Sequence, residues 1–391
     1  MNRVWYFPRL WAQRVWRRAT TCDSPRCSGA SSIQESLYYG LDNPETPYFS
    51  FAETKATATI NALFAADPSD DPRVRMLGWS PERFAEFQRT AEQKLWQALS
   101  VATSTHSSLY LSAENCWTMP EAELLAMRQF INSARLGIRV VAYLRPRHDW
   151  LESRFQDHII RGGRGFRITP QNAGVLDYAE RIGVLERVFG AARVDLFPYA
   201  PRLFPDGCVV RHFRNHCQLE LEDEKLRRSP GSLSLPAFRL LYAYRQFIPQ
   251  RRGSHAALRQ NALLVKQLSS LAGPPLRLHA DLVSPVLEPL QEQRSVISQR
   301  LRLEFPETWH NRSDEQAIRS EQDLWNFCDQ SLEWLCTVSR TPGIRRGTPE
   351  QTAQQVAERV EKLRSSIPMS LTIQWNLDAT KRFLRRVAQN I

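Results

Sequence analysis

Arg145 and Ser153 are the residues of this sequence whose types and spacing best fit a defined chemistry. They stand eight positions apart in the stretch VVAYLRPRHDWLESRFQDHIIRGG. A guanidinium donates two parallel hydrogen bonds to a phosphate, and a hydroxyl adds another donor. The pair therefore predicts a phosphate-binding site. The alternative is an Arg that ends a strand and an ordinary helical Ser, because a single short motif often matches by chance.

A second candidate anion site is a run of five small residues: Ser28, Gly29, Ala30, Ser31 and Ser32. The run follows turn formers and leads into a helical pattern that carries Ile33 and Leu37. A small-residue loop at a helix N-terminus offers backbone N–H groups and the positive end of the helix dipole to an anion. The alternative is an ordinary capped surface helix.

Arg145 is expected to lie at the end of a strand. The run from Ile138 to Leu144 is apolar and rich in β-branched residues, which predicts a strand buried on both faces. From about His148 the apolar period becomes helical, and Gly162 and Gly163 end that helix. Ligands bind at the carboxyl edge of open α/β sheets, where this Arg would lie.

Two more strands are predicted, at Ser108–Ser112 and Arg193–Tyr199, with helical patterns between them. Alternation of strand and helix predicts an α/β protein with a parallel sheet. Glu114 follows the first of these strands, so it is expected at the same edge of the sheet as Arg145.

A predicted helix at Cys208–Leu219 carries four potential metal ligands: Cys208, His212, His216 and Cys217. The first three share one helical face, but Cys217 points about 100° away. Four tetrahedral ligands do not converge from one helix, so we expect no metal here.

Composition bounds the class of protein. The chain has 391 residues, a formal net charge of +11 and seven scattered cysteines, which favours anionic partners and a reducing, cytoplasmic location. No apolar run is long enough to span a membrane. Residues 1–21 are Arg- and Trp-rich and are expected to be an irregular basic leader, although contact with a membrane surface stays open. Binding of nucleic acid has only the charge in its favour, and we expect none.

Taken together, four segments resemble the sulfotransferase family, in particular its bacterial members. SGASSIQESL resembles the 5'-phosphosulfate loop, LYLSAEN a strand ending in Ser-Ser-Glu, and the Arg145–Ser153 stretch the 3'-phosphate motif. The helix, strand and helix of residues 178–213 resemble the elements that follow. The resemblance covers about residues 22–245.

The resemblance implies a P-loop-NTPase-like fold, in which a three-layer parallel sheet is flanked by helices, with a helical C-terminal extension. The expected domains are residues 22–310 and 311–391. It also implies that 3'-phosphoadenylyl sulfate donates a sulfuryl group to a carbohydrate-like hydroxyl acceptor. Arg145 and Ser153 would bind the 3'-phosphate, and the small-residue run the 5'-phosphosulfate. Glu114 would be the general base, or a carboxylate that orients the loop.

Three departures from the family pattern suggest a second hypothesis. Cys27 stands where the family loop has Lys, with Arg26 beside it as a substitute cation, and Ala30 replaces a Thr. The residues just before the loop, RVWRRATT, make a poor strand. The alternative is therefore a catalytically impaired relative that only binds a nucleotide or glycan.

Overall fold

The computed structural model describes residues 3–8, 29–41, 48–51, 56–67, 79–113, 115–166, 177–227, 232–249, 255–307 and 316–367. They form a mixed α/β protein that is mostly helical. The strands are β1 (Arg3–Pro8), β2 (Tyr48–Phe49), β3 (Leu109–Ala113), β4 (Gly137–Leu144) and β5 (Val194–Pro198). The α-helices are α1 (Gly29–Gly40), α2 (Thr57–Phe64), α3 (Pro81–Ser104), α4 (Glu121–Ser133), α5 (Arg147–Ile160), α6 (Tyr178–Phe189), α7 (Val209–Cys217), α8 (Leu235–Phe247), α9 (His255–Leu268), α10 (Ala280–Leu287), α11 (Gln293–Leu301), α12 (Asp329–Ser339) and α13 (Pro349–Ser366).

The strands form one parallel sheet in the order β2-β3-β1-β4-β5. The central strand β1 pairs with β3 up to Pro8 opposite Ala113, and with β4 from Arg3 opposite Gly137. β2 and β3 lie on one side of β1 in the sheet, and the later strands β4 and β5 lie on the other side. The strand order therefore reverses at β1, and such a switch point is where open α/β sheets bind ligands.

The three strands expected from the sequence are confirmed as β3, β4 and β5. In β4, Val140, Val141, Ala142 and Leu144 have no exposed surface, as expected for a strand covered on both faces. The α5 helix ends at Ile160, and Gly162 and Gly163 follow it as predicted. A Cβ at Gly163 would clash with the His158 ring. Only glycine fits at that position without a shift of the imidazole.

The expectation of an irregular leader is wrong for Arg3–Pro8, which forms β1. The segment RVWYFP is short and begins with a cation, so its apolar pattern is weak. Its Val, Trp, Tyr and Phe nevertheless favour extended backbone, and pairing with β3 and β4 satisfies its main chain on both edges. A strand therefore does precede α1 in the chain. Residues 9–28 lie outside the described ranges.

The chain divides into two compact units, and the first consists of residues 1–154, 168–231 and 283–312. It contains the sheet, with α1 and α7 packed together in an apolar cluster that includes Leu37 and Phe213, both without exposed surface. Val141 of β4 and Tyr110 of β3 belong to the same apolar cluster. This cluster fixes α1 and α7 against the sheet.

The second unit consists of residues 155–167, 232–282 and 313–391. Its central helix is α8, in which residues such as Phe238, Leu241 and Tyr242 have no exposed surface. It packs on α13, whose buried stripe includes Val356 and Val360. The predicted helix at Thr348–Ser365 is confirmed as α13, whereas one expected at Leu377–Ile391 lies outside the described residues. The division into 22–310 and 311–391 stays a prediction.

Candidate functional site

The candidate site lies at the carboxyl edge of the sheet, around the switch point at β1. Arg145 directly follows β4, which is one neighbour of β1. Residue 114 directly follows β3, which is the other neighbour. The two positions predicted to carry chemistry therefore follow the two strands that flank the central one.

Arg145 is held by two aromatic side chains. The Tyr178 hydroxyl donates to its backbone carbonyl at 2.9 Å, and its guanidinium carbon lies 5.0 Å from the centroid of the Tyr199 ring. Within the described residues, the guanidinium forms no ion pair with a carboxylate. A guanidinium has five N–H donors, and a half-buried one without an acidic partner is suited to an anionic ligand.

Ser153 lies in the second turn of α5 and is half-buried. Arg145 precedes this helix by two residues, so both groups belong to one strand–turn–helix unit, as the sequence predicts. Their convergence on a common phosphate stays a prediction.

Four residues of the small-residue run, 29–32, form the first turn of α1, which begins at Gly29, so this part of the expected loop is helical. Ser31 and Ser32 are buried, and Gly29 and Ala30 are the first two helical residues. A buried bond from Gln34 Nε2 to Ser112 Oγ, 2.8 Å long, ties α1 to the end of β3. Three site residues of the sequence analysis lie outside the described residues: Arg26, Ser28 and Glu114.

A buried ion pair that the sequence did not reveal anchors the first turn of α5. Arg147 Nη1 lies 2.9 Å from Glu307 Oε2, and both side chains are about 1% exposed. Glu307 Oε1 also accepts from the Arg147 backbone N–H at 3.1 Å, and Gln293 accepts from Nη2 at 2.9 Å. The partners are 160 positions apart in the chain, so no local pattern could have predicted the pair.

One group of described side chains offers three metal-ligand atoms within 4.8 Å of one another: His148, Asp149 and Glu152. His148 and Glu152 are buried, with Nδ1 and Oε1 separated by 3.5 Å. The three residues lie in the first two turns of α5. The positive end of a helix dipole favours carboxylates and opposes a cation there, so this position is poorly suited to a metal ion.

The His and Cys residues considered as metal ligands belong to a different arrangement. The Tyr143 hydroxyl and His212 Nδ1 form a hydrogen bond of 2.8 Å, and burial raises the pKa of the tyrosine. His216 Nε2 lies 3.0 Å from an Asp195 carboxylate oxygen. Arg139 holds the same carboxylate through two hydrogen bonds of 2.5 and 2.9 Å. Cys208 and Cys217 are buried. The hydrogen bonds of His212 and His216 link α7 to β4 and β5.

Acid is expected to weaken the fold through Asp195. Burial of its carboxyl raises its pKa, but the hydrogen bonds from His216 and Arg139 outweigh burial and lower the pKa to about 2. A carboxyl whose pKa is depressed on folding stabilises the protein above about pH 4, and this contribution is lost as the pH falls toward 2. We expect Asp195→Asn to remove about 1–2 kcal/mol of this pH-dependent stability, measured by urea unfolding at pH 5 and pH 2.

The matched control is Asp223→Asn. Asp223 is an exposed carboxylate that pairs with Arg211 and Arg214. Exposed ion pairs contribute about 0–1 kcal/mol, so its loss should change acid sensitivity little. An equal loss of stability on acidification in wild type and Asp195→Asn would refute the role of Asp195.

Comparisons with known proteins leave the function open. No family model, curated protein or solved structure matches this chain. Among the described residues, no helix combines the length and the apolar composition needed to cross a bilayer.

Proposed function

We propose that this protein is sulfotransferase-like and transfers a sulfuryl group from 3'-phosphoadenylyl sulfate to a hydroxyl of a carbohydrate or similar acceptor. The observation that carries the proposal is Arg145, a guanidinium without a carboxylate partner among the described residues, next to the switch point of a parallel sheet. A guanidinium without a carboxylate partner at this edge supports the proposal, because it has N–H donors that a phosphate can accept from.

The order of the elements adds support. The four segments that carry the family resemblance correspond to α1, β3, β4 with α5, and α6 through β5 to α7. The central strand β1 precedes α1 in the chain, and α1 begins within the small-residue run, so the backbone N–H groups of its first turn could contribute to an anion site. Helices on both faces of the sheet, giving three layers, are part of the proposal.

The proposed chemistry is in-line displacement at sulfur. Glu114 would take the proton of the acceptor hydroxyl, whose oxygen bonds to sulfur as the bond from sulfur to the donor phosphate breaks. Arg26 would stabilise the negative charge on the departing phosphate. Arg145 and Ser153 would hold the donor by its 3'-phosphate. The described cysteines are all free, which fits the proposed cytoplasmic location.

The alternative is a protein that binds the nucleotide without turnover. Cys27 stands where the family loop has Lys, and a thiol brings no positive charge to the transferring group. We expect Cys27→Lys to increase sulfuryl transfer about tenfold, since preorganised charge is a large contribution to catalysis. The measurement is transfer of labelled sulfate to a panel of sugars. Nucleotide binding without transfer in either protein would support the alternative.

The test of the proposal is binding of adenosine 3',5'-bisphosphate, measured as an increase in the thermal unfolding temperature. We expect wild type to be stabilised and Arg145→Ala to bind at least about tenfold more weakly, because charge-assisted hydrogen bonds contribute about 1.5–3 kcal/mol. The matched control is Arg89→Ala, which removes an exposed arginine of α3. No stabilisation of wild type, or equal binding by all three proteins, would reject the proposal.

A further inference from the structure

The backbone of Arg145 is fixed by Tyr178, the first residue of α6. The Tyr178 hydroxyl donates to the Arg145 carbonyl at 2.9 Å. Tyr178 is fully buried, and burial raises the pKa of its hydroxyl, so the group keeps its proton and remains a donor. Its ring packs edge-on against Trp117 and Phe305, which hold it in place.

The side chain of Arg145 is fixed by Tyr199, the residue that follows β5. The guanidinium carbon lies 5.0 Å from the centroid of the Tyr199 ring. The backbone N–H of Tyr199 donates to the carbonyl of Leu144 at 2.6 Å, so the ring is tied to the residue just before Arg145. Phe204 packs edge-on against the ring at 5.7 Å and restricts its rotation.

We infer that Tyr199 and Tyr178 are positioning residues that orient Arg145 toward the 3'-phosphate of the donor. An aromatic face attracts a guanidinium without using its N–H groups, so the hydrogen-bonding edge stays available for an anion. Tyr178 fixes the main chain from which that guanidinium projects. This inference rests on the proposed function, because it assigns the anion at Arg145 to the 3'-phosphate.

A purely structural role for the two tyrosines makes a different prediction. If they only stabilise the fold, their loss weakens binding of every nucleotide to a similar degree. If they act through Arg145, their loss weakens binding only of ligands that carry the 3'-phosphate. The effect of Tyr199 must also disappear once Arg145 is absent, since residues that act as one unit are non-additive.

The experiment compares adenosine 3',5'-bisphosphate with adenosine 5'-phosphosulfate, which lacks the 3'-phosphate, by calorimetry. The variants are Tyr199→Leu, Tyr199→Phe and Tyr178→Phe, each also made in the Arg145→Ala background. We expect Tyr199→Leu to weaken bisphosphate binding about fivefold and Tyr178→Phe by a similar factor. Tyr199→Phe keeps the aromatic face and should bind within about twofold of wild type. Phosphosulfate binding should not change.

The outcomes separate this inference from the proposed function. Three results would overturn the inference alone. The first is that the variants bind both ligands equally weakly, and the second is that Tyr199→Leu and Tyr178→Phe bind the bisphosphate as well as wild type does. The third is that Tyr199→Leu has its full effect in the Arg145→Ala background. If wild type does not bind the bisphosphate at all, both the proposed function and this inference are overturned. Tyr178→Phe retains the buried ring, so a folded variant is available even if Tyr199→Leu unfolds.

Discussion

Replacement of Glu307 by alanine is expected to destabilise the protein by about 3–5 kcal/mol, because it leaves a buried charge without a partner. Arg147 and Glu307 are each about 1% exposed, and the carboxylate meets both the guanidinium and the backbone N–H of Arg147. Urea unfolding at pH 7 measures the change in the free energy of unfolding.

Two further variants test whether the unpaired charge causes the loss of stability. Glu307→Gln keeps an acceptor in the same place and should lose less stability than Glu307→Ala. The double variant Arg147→Met with Glu307→Leu removes both charges and should recover most of the loss, since apolar pairs of similar volume replace buried ion pairs well. A loss below about 1 kcal/mol in Glu307→Ala would contradict a desolvated pair.

Replacement of Arg245 by methionine is expected to destabilise the second unit by about 2–4 kcal/mol. Arg245 is 2% exposed, and its guanidinium donates to the carbonyls of Ile159 and Ile160, at the end of α5, and to Asn261. Burial lowers the pKa of Arg245 to about 10, so the side chain remains charged at neutral pH. Methionine has a similar length but no donor, and the Ile159 carbonyl would lose its side-chain partner.

Hydrogen exchange locates this effect. Amides near the end of α5 and in α8 should lose protection in Arg245→Met, and urea unfolding measures the overall loss. The matched control is Arg359→Met, at a partly buried arginine of α13. We expect it to cost less, because the hydrogen bond from Arg359 to the Gln355 carbonyl is long, at 3.4 Å. Unchanged protection at the end of α5 would contradict the capping role of Arg245.

Local pattern was sufficient for the elements that carry Arg145 and Ser153. The apolar run before Arg145, the helical period after His148 and Gly163 predict β4, the turn and α5 within a few residues of their observed bounds. Each of these signals acts through neighbouring residues, by β-branching, by spacing of apolar side chains or by the backbone freedom of glycine.

Local pattern did not predict β1, because this strand depends on pairing between distant segments of the chain. The segment RVWYFP has no turn or period that marks it as a central strand, and its structure depends on β3 and β4, whose residues lie more than 100 positions later. The buried partners of Arg147 and Arg245 were missed for the same reason. An ion pair or a carbonyl cap formed across such distances leaves no trace in a local window.

The sequence by itself determined which residue types stand at the ends of the strands, because strand, turn and helix follow from local propensity and spacing. Only the tertiary structure decided that β1 is central, that Tyr178 and Tyr199 hold Arg145, and that Glu307 neutralises Arg147. Those decisions depend on burial and on contacts between distant segments. A side chain becomes buried only when other segments of the folded chain pack around it, so burial cannot be derived from one segment alone.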